Sequence, residues 1–438
     1  MKKTFAILSF LLLMIFTVDA QTEKVKFIEY GLPNGLHVIL YQDHSTPNVM
    51  VSLMYHVGSK NEHPERTGFA HLFEHLMFEG SKHIDRGEYM KIVPASGGEL
   101  NANTSFDRTY YFEMMPANQL ELALWMEAER MLHAKIDTIG VNTQKGVVIE
   151  ERKQTIDNNP YGTFIEELCI RLFTIHPYRT FLIGSPEHIR NSTFDDIYNF
   201  YKTYYVPNNC VLVIAGDFEE ENAKAMVQKY FGDIPRGTFP INRPTIVEPP
   251  MTGEIRDIVY DKIQLPGVFT GYRSPAMGTK DSYAIDLLCS ILSSGKSARL
   301  KTNLTDKGIT MMAMALNFGL EHPGPVIVAA IANAGKTIEE VESALNAEIE
   351  KLHELIDEEE FQMAKAAKEY EFASGLTSLS AISQELANGY TYFKDAGRIN
   401  KELENYNSIT REDLRDAARK YLNKDSRVVL HYLPESQK

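Results

Sequence analysis

His71, Glu74 and His75 are the residues whose types and spacing could do chemistry, in the stretch Gly68-Phe-Ala-His71-Leu-Phe-Glu74-His75-Leu-Met-Phe. On a helix His71 and His75 are related as i and i+4, with Cβ atoms about 5–6 Å apart on one face. Two imidazole nitrogens can then meet one zinc ion at about 2.0–2.1 Å each. Glu74 stands one turn on from His71 and beside His75, where its carboxylate can take a proton from a water that zinc activates. Leu72, Phe73 and Leu76 make the same helix apolar on part of its circumference. Glutamate is almost never buried unpaired, so a metal accounts for the pattern better than a helix of solvated histidines.

A catalytic zinc takes three protein ligands and keeps a fourth position open. The third candidate lies in Asn142-Thr-Gln-Lys-Gly-Val-Val-Ile-Glu150-Glu151-Arg-Lys-Gln, which reads as a helix. Val147 and Val148 share a face with Gln144 and Glu151, while Glu150 points about 100° away. Glu151 is therefore the better-placed ligand and Glu150 the alternative.

The elements that must position these residues follow from the rest of the chain. It has 438 residues, 44% hydrophobic and 24% charged, with a formal net charge of −14. This is globular composition for two or three domains. So acidic a chain, with no basic stripe, is not expected to bind nucleic acid. Its three cysteines (Cys169, Cys210, Cys289) are too scattered for a disulfide framework.

Residues 1–20 read as a secretory signal peptide. Lys2 and Lys3 precede an apolar run, Val18-Asp19-Ala20 is a small-residue cleavage site, and polar Gln21-Thr22-Glu23 follows at once. The run is short of the ~20 residues of a membrane span, and no later run is long enough. The expected location is periplasmic or extracellular, with no stable membrane span after cleavage.

Prolines 235, 240, 244, 249 and 250 mark a linker at 236–255 between a first domain, 21–235, and a second, 256–438. The two close alike. Thr193-Phe-Asp-Asp-Ile opens a helix followed by a β-branched run at 211–215, and Thr410-Arg-Glu-Asp-Leu opens another followed by a run at 427–432. Strands at 25–41 (turning at Pro33-Asn34-Gly35) and 49–57 begin the first copy, and long helices are expected at 119–133 and 337–355. The fold class is α+β: two homologous domains, each a mixed, mainly antiparallel sheet with helices packed on it.

The inverted His71-x-x-Glu74-His75 order and the downstream Val147-Val148-Ile149-Glu150-Glu151 resemble the pitrilysin family of inverzincin metallopeptidases. The likeness is to short bacterial members with two homologous domains. It extends through Gly97-Gly98-Glu-Leu-Asn101-Ala102-Asn103-Thr104, Asp107-Arg-Thr109-Tyr110-Tyr111, Trp125-x-Glu127-x-x-Arg130-Met131, His176-Pro177-Tyr178 and Tyr205-x-Pro207-Asn208-Asn209. The resemblance implies Zn2+ as cofactor, His71, His75 and Glu151 as ligands, and Glu74 as general base. It also implies that Asn101, Ala102, Asn103 and Thr104 form an edge strand to which substrate peptide adds by backbone bonding. On residue type alone, this Gly- and Asn-rich stretch would read as a turn.

The chain departs from the family pattern at three places. Ile285, Leu288 and Cys289 stand where a second metal motif would fall, so the second domain is expected to be non-catalytic and to wall a substrate chamber. Gln144 replaces an acid seven residues before the ligand glutamate. Thr305 and Met311 or Met312 replace an arginine and a tyrosine that grip the substrate carbonyl, while Arg299 matches a different arginine. Methionine has no O–H to donate. The resemblance thus implies a zinc endopeptidase acting on peptides, paired as a heterodimer or homodimer with a homologous subunit. The alternative is a non-catalytic subunit that keeps the metal and serves in binding or assembly. His63, His83, His133, His188, His353 and His431 stand alone in the sequence and are expected on the surface or in polar core. The acids at 357–360 are expected as a solvated helix start.

Overall fold

The structure, a computed structural model, describes residues 24–438; the signal peptide expected at 1–20 lies outside them. Among the described residues no helix is long and apolar enough to cross a membrane.

The first sheet contains β1 (Ile28–Gly31), β2 (His37–Gln42), β3 (Asn48–Tyr55), β4 (Glu99–Thr104), β5 (Thr109–Pro116) and β6 (Cys210–Gly216). Their order is β1-β2-β6-β3-β5-β4. β2 and β6 are parallel and every other pair is antiparallel. The second sheet contains β7 (Ile255–Asp261), β8 (Gly267–Arg273), β9 (Thr310–Asn317), β10 (Pro325–Ala332) and β11 (Arg427–Pro434), in the order β7-β11-β8-β10-β9. Again one pair, β7 and β11, is parallel and the rest are antiparallel. Apart from β1 the two sheets have one topology, as a duplicated α+β unit requires. The Phe194–Tyr204 and Arg411–Tyr421 helices each begin in a capping box, Thr193 with Asp196 and Thr410 with Asp413.

The central strands, β3 and β6 in the first sheet and β8 and β10 in the second, are buried on both faces because both faces are covered. In the first sheet Val38, Leu40, Val51, Leu53 and Leu212 pack under the sheet's own helices, Phe69–Leu76 and Leu120–His133 among them. The alternating residues Ile39, Met50, Met54 and Val213 pack against Ile382, Leu386 and Ala387 of the Leu379–Phe393 helix, which comes from the second half of the chain. The exchange is mutual. Leu168, Cys169 and Leu172 of the Phe164–Leu172 helix, from the first half, pack with Phe269, Ile327, Val428 and Leu430 of the second sheet. Gly271 makes room for that helix, since a Cβ there would lie 3.0 Å from Leu172 Cδ1 and 3.1 Å from Leu168 Cδ2. The Pro-rich segment at 235–254 carries neither helix nor strand. It divides the chain more cleanly than it divides the packing.

A buried polar network adds a second tie between the halves. Lys60 Nζ lies 2.8 Å from Asp107 Oδ1 and also bonds Glu321, and both Lys60 and Asp107 have side chains only 1% exposed. Tyr178 donates to Asp107 Oδ1 at 2.6 Å, and the Glu321 N–H donates to Asp107 Oδ2 at 3.0 Å.

Candidate metal centre

The Phe69–Leu76 helix starts at Gly68, whose φ of +89° is a left-handed conformation that favours glycine. Gly184 presses against this start: a Cβ on it would lie 2.2 Å from the Gly68 nitrogen. The helix has no serine, threonine or aspartate at its N-cap. Glu62 serves instead, with Oε2 accepting from Gly68 N–H and Oε1 from Ala70 N–H, both at 2.8 Å. Burial raises the Glu62 carboxyl to about 8, against the opposing pull of the Ala70, Gly68 and Phe69 N–H groups. Further along, Tyr111 donates to the Phe73 carbonyl at 3.0 Å, fixing the helix on the sheet. Beneath its C-terminal end the Arg130 guanidinium lies 4.5–4.9 Å from the rings of Phe78, Tyr111 and Tyr89, and 3.0 Å from Glu127 Oε1.

Held this way, the helix brings His71 and His75 together, with ring centroids 4.9 Å apart. The Thr138–Arg152 helix delivers Glu151 to both. Its Oε1 is 3.6 Å from His71 Nε2 and its Oε2 is 3.1 Å from His75 Nε2, and the ligand-capable atoms of all three lie within 4.8 Å of one another. Tetrahedral ligands at zinc bonding distances stand about 3.3 Å apart, so the donor set and its spacing fit that ion. Burial, helped by His75 and opposed by Glu151, lowers the His71 imidazole to about 4, which leaves its nitrogen lone pair free of a proton at neutral pH. The hydrogen bond from His75 lowers the Glu151 carboxyl, against burial, so that it stays anionic. Glu150 is exposed and turns to Lys153 at 3.0 Å. The two glutamates thus divide as the helical phase predicts. Val147, expected on the inner face, is 44% exposed, and the buried line of this helix runs through Val141 and Val148 instead.

Glu74 sits on the same helix with its Oε2 accepting a 2.6 Å bond from the Thr104 hydroxyl. Burial raises its carboxyl, and the Thr104 bond opposes that rise. Thr104 ends β4, so the stretch that residue type alone reads as a turn is an edge strand, paired among the described residues to β5 alone, with Ala102 opposite Tyr111. At its free edge the Ala102 N–H already donates to Asn101 Oδ1 at 2.8 Å, while Arg108, from the turn into β5, donates to the Asn103 carbonyl at 3.1 Å on the side facing β5.

The second half of the chain contains neither of the two metal-capable clusters found among the described residues. Its Lys280–Ser293 helix buries Ile285, Leu288 and Cys289 in a hydrophobic core. Arg299 is buried and bidentate to Glu360, and so is committed to holding the Glu358–Gly375 helix. Glu360 is therefore an ion-pair partner and not one of a purely solvated run. Thr305 bonds the Thr310 hydroxyl at 3.1 Å, and Met311 on β9 is 55% exposed.

Residues 37–184 match the insulinase domain of peptidase family M16, and residues 191–368 match the peptidase M16 inactive domain. The zinc protease PqqE of Helicobacter pylori is 32% identical over 372 residues, which cover 84% of each chain. This chain belongs to peptidase family M16. The M16 fold recurs in the crystal structure of a protease from Helicobacter pylori, with a TM-score of 0.89 and 30% identity over 93% of this chain and 100% of that one. The periplasmic protease PqqL of Escherichia coli shares the fold at 19% identity and a TM-score of 0.75, over 94% of this chain and 48% of that one. Two M16 domains with a His/His/Glu cluster make this a peptide-bond hydrolase of the zinc metalloprotease type.

Three supporting residues escape the sequence reading. Glu62 lies outside any N-cap signature, because it reaches the helix from six residues before Gly68. Glu79 accepts a 2.5 Å bond from Gln144 and pairs with Arg86, so an acid stands one step beyond the position where Gln144 replaces one. Thr104 enters the edge strand only through the family resemblance, and nothing in the sequence marks it as a partner of Glu74.

Proposed function

We propose that this chain is an exported zinc metalloendopeptidase that hydrolyses peptides or unfolded polypeptide segments. In this reading His71, His75 and Glu151 hold Zn2+ and Glu74 is the general base. The observation that carries it is the convergence of two imidazoles and a carboxylate beside Glu74, whose oxygen is fixed by Thr104. Zinc held there would polarise the scissile carbonyl and acidify the attacking water. Glu74 takes that water's proton and returns it to the leaving amine, the two transfers a single positioned carboxylate can perform in turn. A substrate backbone adds along Asn101, Ala102, Asn103 and Thr104, displacing the bond that the Asn101 side chain makes to the Ala102 N–H on that edge. The first domain (21–235) carries the chemistry. Across the linker at 236–255, the second (256–438) walls the chamber.

An M16 chain with Thr305 and an exposed Met311 lacks the donors that would grip a substrate carbonyl from its second domain. This favours a dimer in which a homologous subunit supplies them and the present chain supplies the zinc. The leader at 1–20 and the periplasmic relative favour a periplasmic or extracellular location. The test is cleavage of an internally quenched peptide by wild type and Glu74→Gln, each alone and co-expressed with a homologous subunit. Wild type with its partner should cleave and Glu74→Gln should not. Equal rates from the two would point instead to a binding or assembly subunit.

A further inference from the structure

We propose that His83, Glu129 and His133 form a second metal site, for a zinc-class dication, separate from the His71/His75/Glu151 cluster. His83 and His133 look isolated in the sequence, fifty positions apart, but the fold closes them on one carboxylate. His83 Nδ1 is 2.9 Å and His133 Nδ1 is 3.4 Å from Glu129 Oε1. The ligand-capable atoms of the three lie within 4.8 Å of one another, the same limit that the first cluster meets with the same donor types. Both edges fall within about half an ångström of the ligand–ligand spacing of tetrahedral zinc.

The backbone holds this arrangement in place. The turn bearing His83 is stitched to the end of the Leu120–His133 helix by Lys82 N–H to the His133 carbonyl (3.1 Å) and Lys135 N–H to the Gly80 carbonyl (2.9 Å). The Ser81 hydroxyl donates to Glu129 Oε2 at 2.7 Å, leaving Oε1 to face both imidazoles. Such an outer bond orients a ligating carboxylate. Glu129 has a side chain only 8% exposed, yet its ion-pair partners among the described residues are these two imidazoles, with no lysine or arginine. A buried carboxylate needs a cation. His133 is also the last residue of its helix, where the dipole favours positive charge. His83, 51% exposed, leaves one side of the cluster open to solvent for entry of the ion and a fourth ligand.

The ion would clamp the turn that follows the Phe69–Leu76 helix onto the Leu120–His133 helix. The test counts zinc by elemental analysis after chelator stripping and reloading with Zn2+, in wild type, His83→Asn/His133→Asn and Glu151→Gln chains. The expected counts are two, one and one ions per chain. Zn2+ should also raise the thermal midpoint of Glu151→Gln but not of His83→Asn/His133→Asn/Glu151→Gln, each compared with its own metal-free form. A single ion in wild type that persists in the double variant would overturn the site and leave the two imidazoles as no more than hydrogen-bond partners of Glu129. That same ion, if lost in Glu151→Gln, would leave the proposed function intact. A wild-type ion lost only in the double variant would support this site and remove the first.

Discussion

The Thr104 hydroxyl donates a 2.6 Å hydrogen bond to Glu74 Oε2, joining the last residue of an edge strand to the helix that carries His71 and His75. The strand proposed to seat the substrate and the group proposed to move the proton are therefore one mechanical unit. Thr104→Val keeps the shape and removes the donor. A hydrogen bond to a charged group contributes about 1.5–3 kcal/mol, so kcat should fall roughly 10- to 100-fold. The sign of the pH effect follows from the same bond. It stabilises the carboxylate against burial, so its loss raises the Glu74 carboxyl and moves the acid limb of the rate profile to higher pH. A rate–pH profile with unchanged zinc content checks both.

Glu151 and Glu150 are adjacent in sequence and opposite in fate. Glu151→Gln should empty the first metal site and abolish peptide cleavage. Glu150→Gln should leave both intact, because it removes only an exposed bond to Lys153. Zinc content measured on the pair separates helical phase from a general loss of charge.

The Lys60, Asp107 and Glu321 network binds the first half of the chain to the loop before β10. Lys60→Met leaves a fully buried Asp107 without its cation. Removing one partner of such a pair costs roughly 3–5 kcal/mol. Urea denaturation should show a midpoint lowered accordingly. A stability equal to wild type would mean that the network is dispensable.

Acid should unfold the protein through a few identifiable carboxylates. Glu248, Glu321 and Glu342 are each held down to about 2. For Glu248, burial is outweighed by the Thr174 hydroxyl and the N–H groups of Thr174, His176 and Ile175. For Glu321, burial is outweighed by His56 and Lys60, and for Glu342 the bond from His431 leads, aided by Arg256 against burial. A carboxyl depressed in the folded state contributes stability above its ordinary value of 4.5 that is lost as pH falls toward 2. Thermal midpoints should be steady near neutrality and drop across that window, and Glu248→Gln should flatten part of the drop.

What was legible in the sequence is what local periodicity encodes. The i, i+4 spacing of His71 and His75, the phase that separates Glu151 from Glu150, and the two threonine capping boxes all depend on residues within a few turns of each other. The strand at Glu99–Thr104 was not local in this sense. Its asparagines, and Gly97 and Gly98 just before it, favour a turn, and pairing with β5 overrides them. Glu62 on the Gly68 and Ala70 amides, and Glu79 on Gln144, require the chain to fold back in a way no spacing rule describes. Nor does any rule join His83 to His133. The exchange of the Phe164–Leu172 and Leu379–Phe393 helices was hidden because each is amphipathic enough to suit either sheet, and only tertiary packing selects the distant one.

The most direct test is zinc bound by the His83→Asn/His133→Asn chain after stripping and reloading, with and without Glu151→Gln. One ion per chain that vanishes when Glu151 is changed is the predicted result. No bound zinc, or an ion indifferent to Glu151, would contradict a metal centre built from His71, His75 and Glu151.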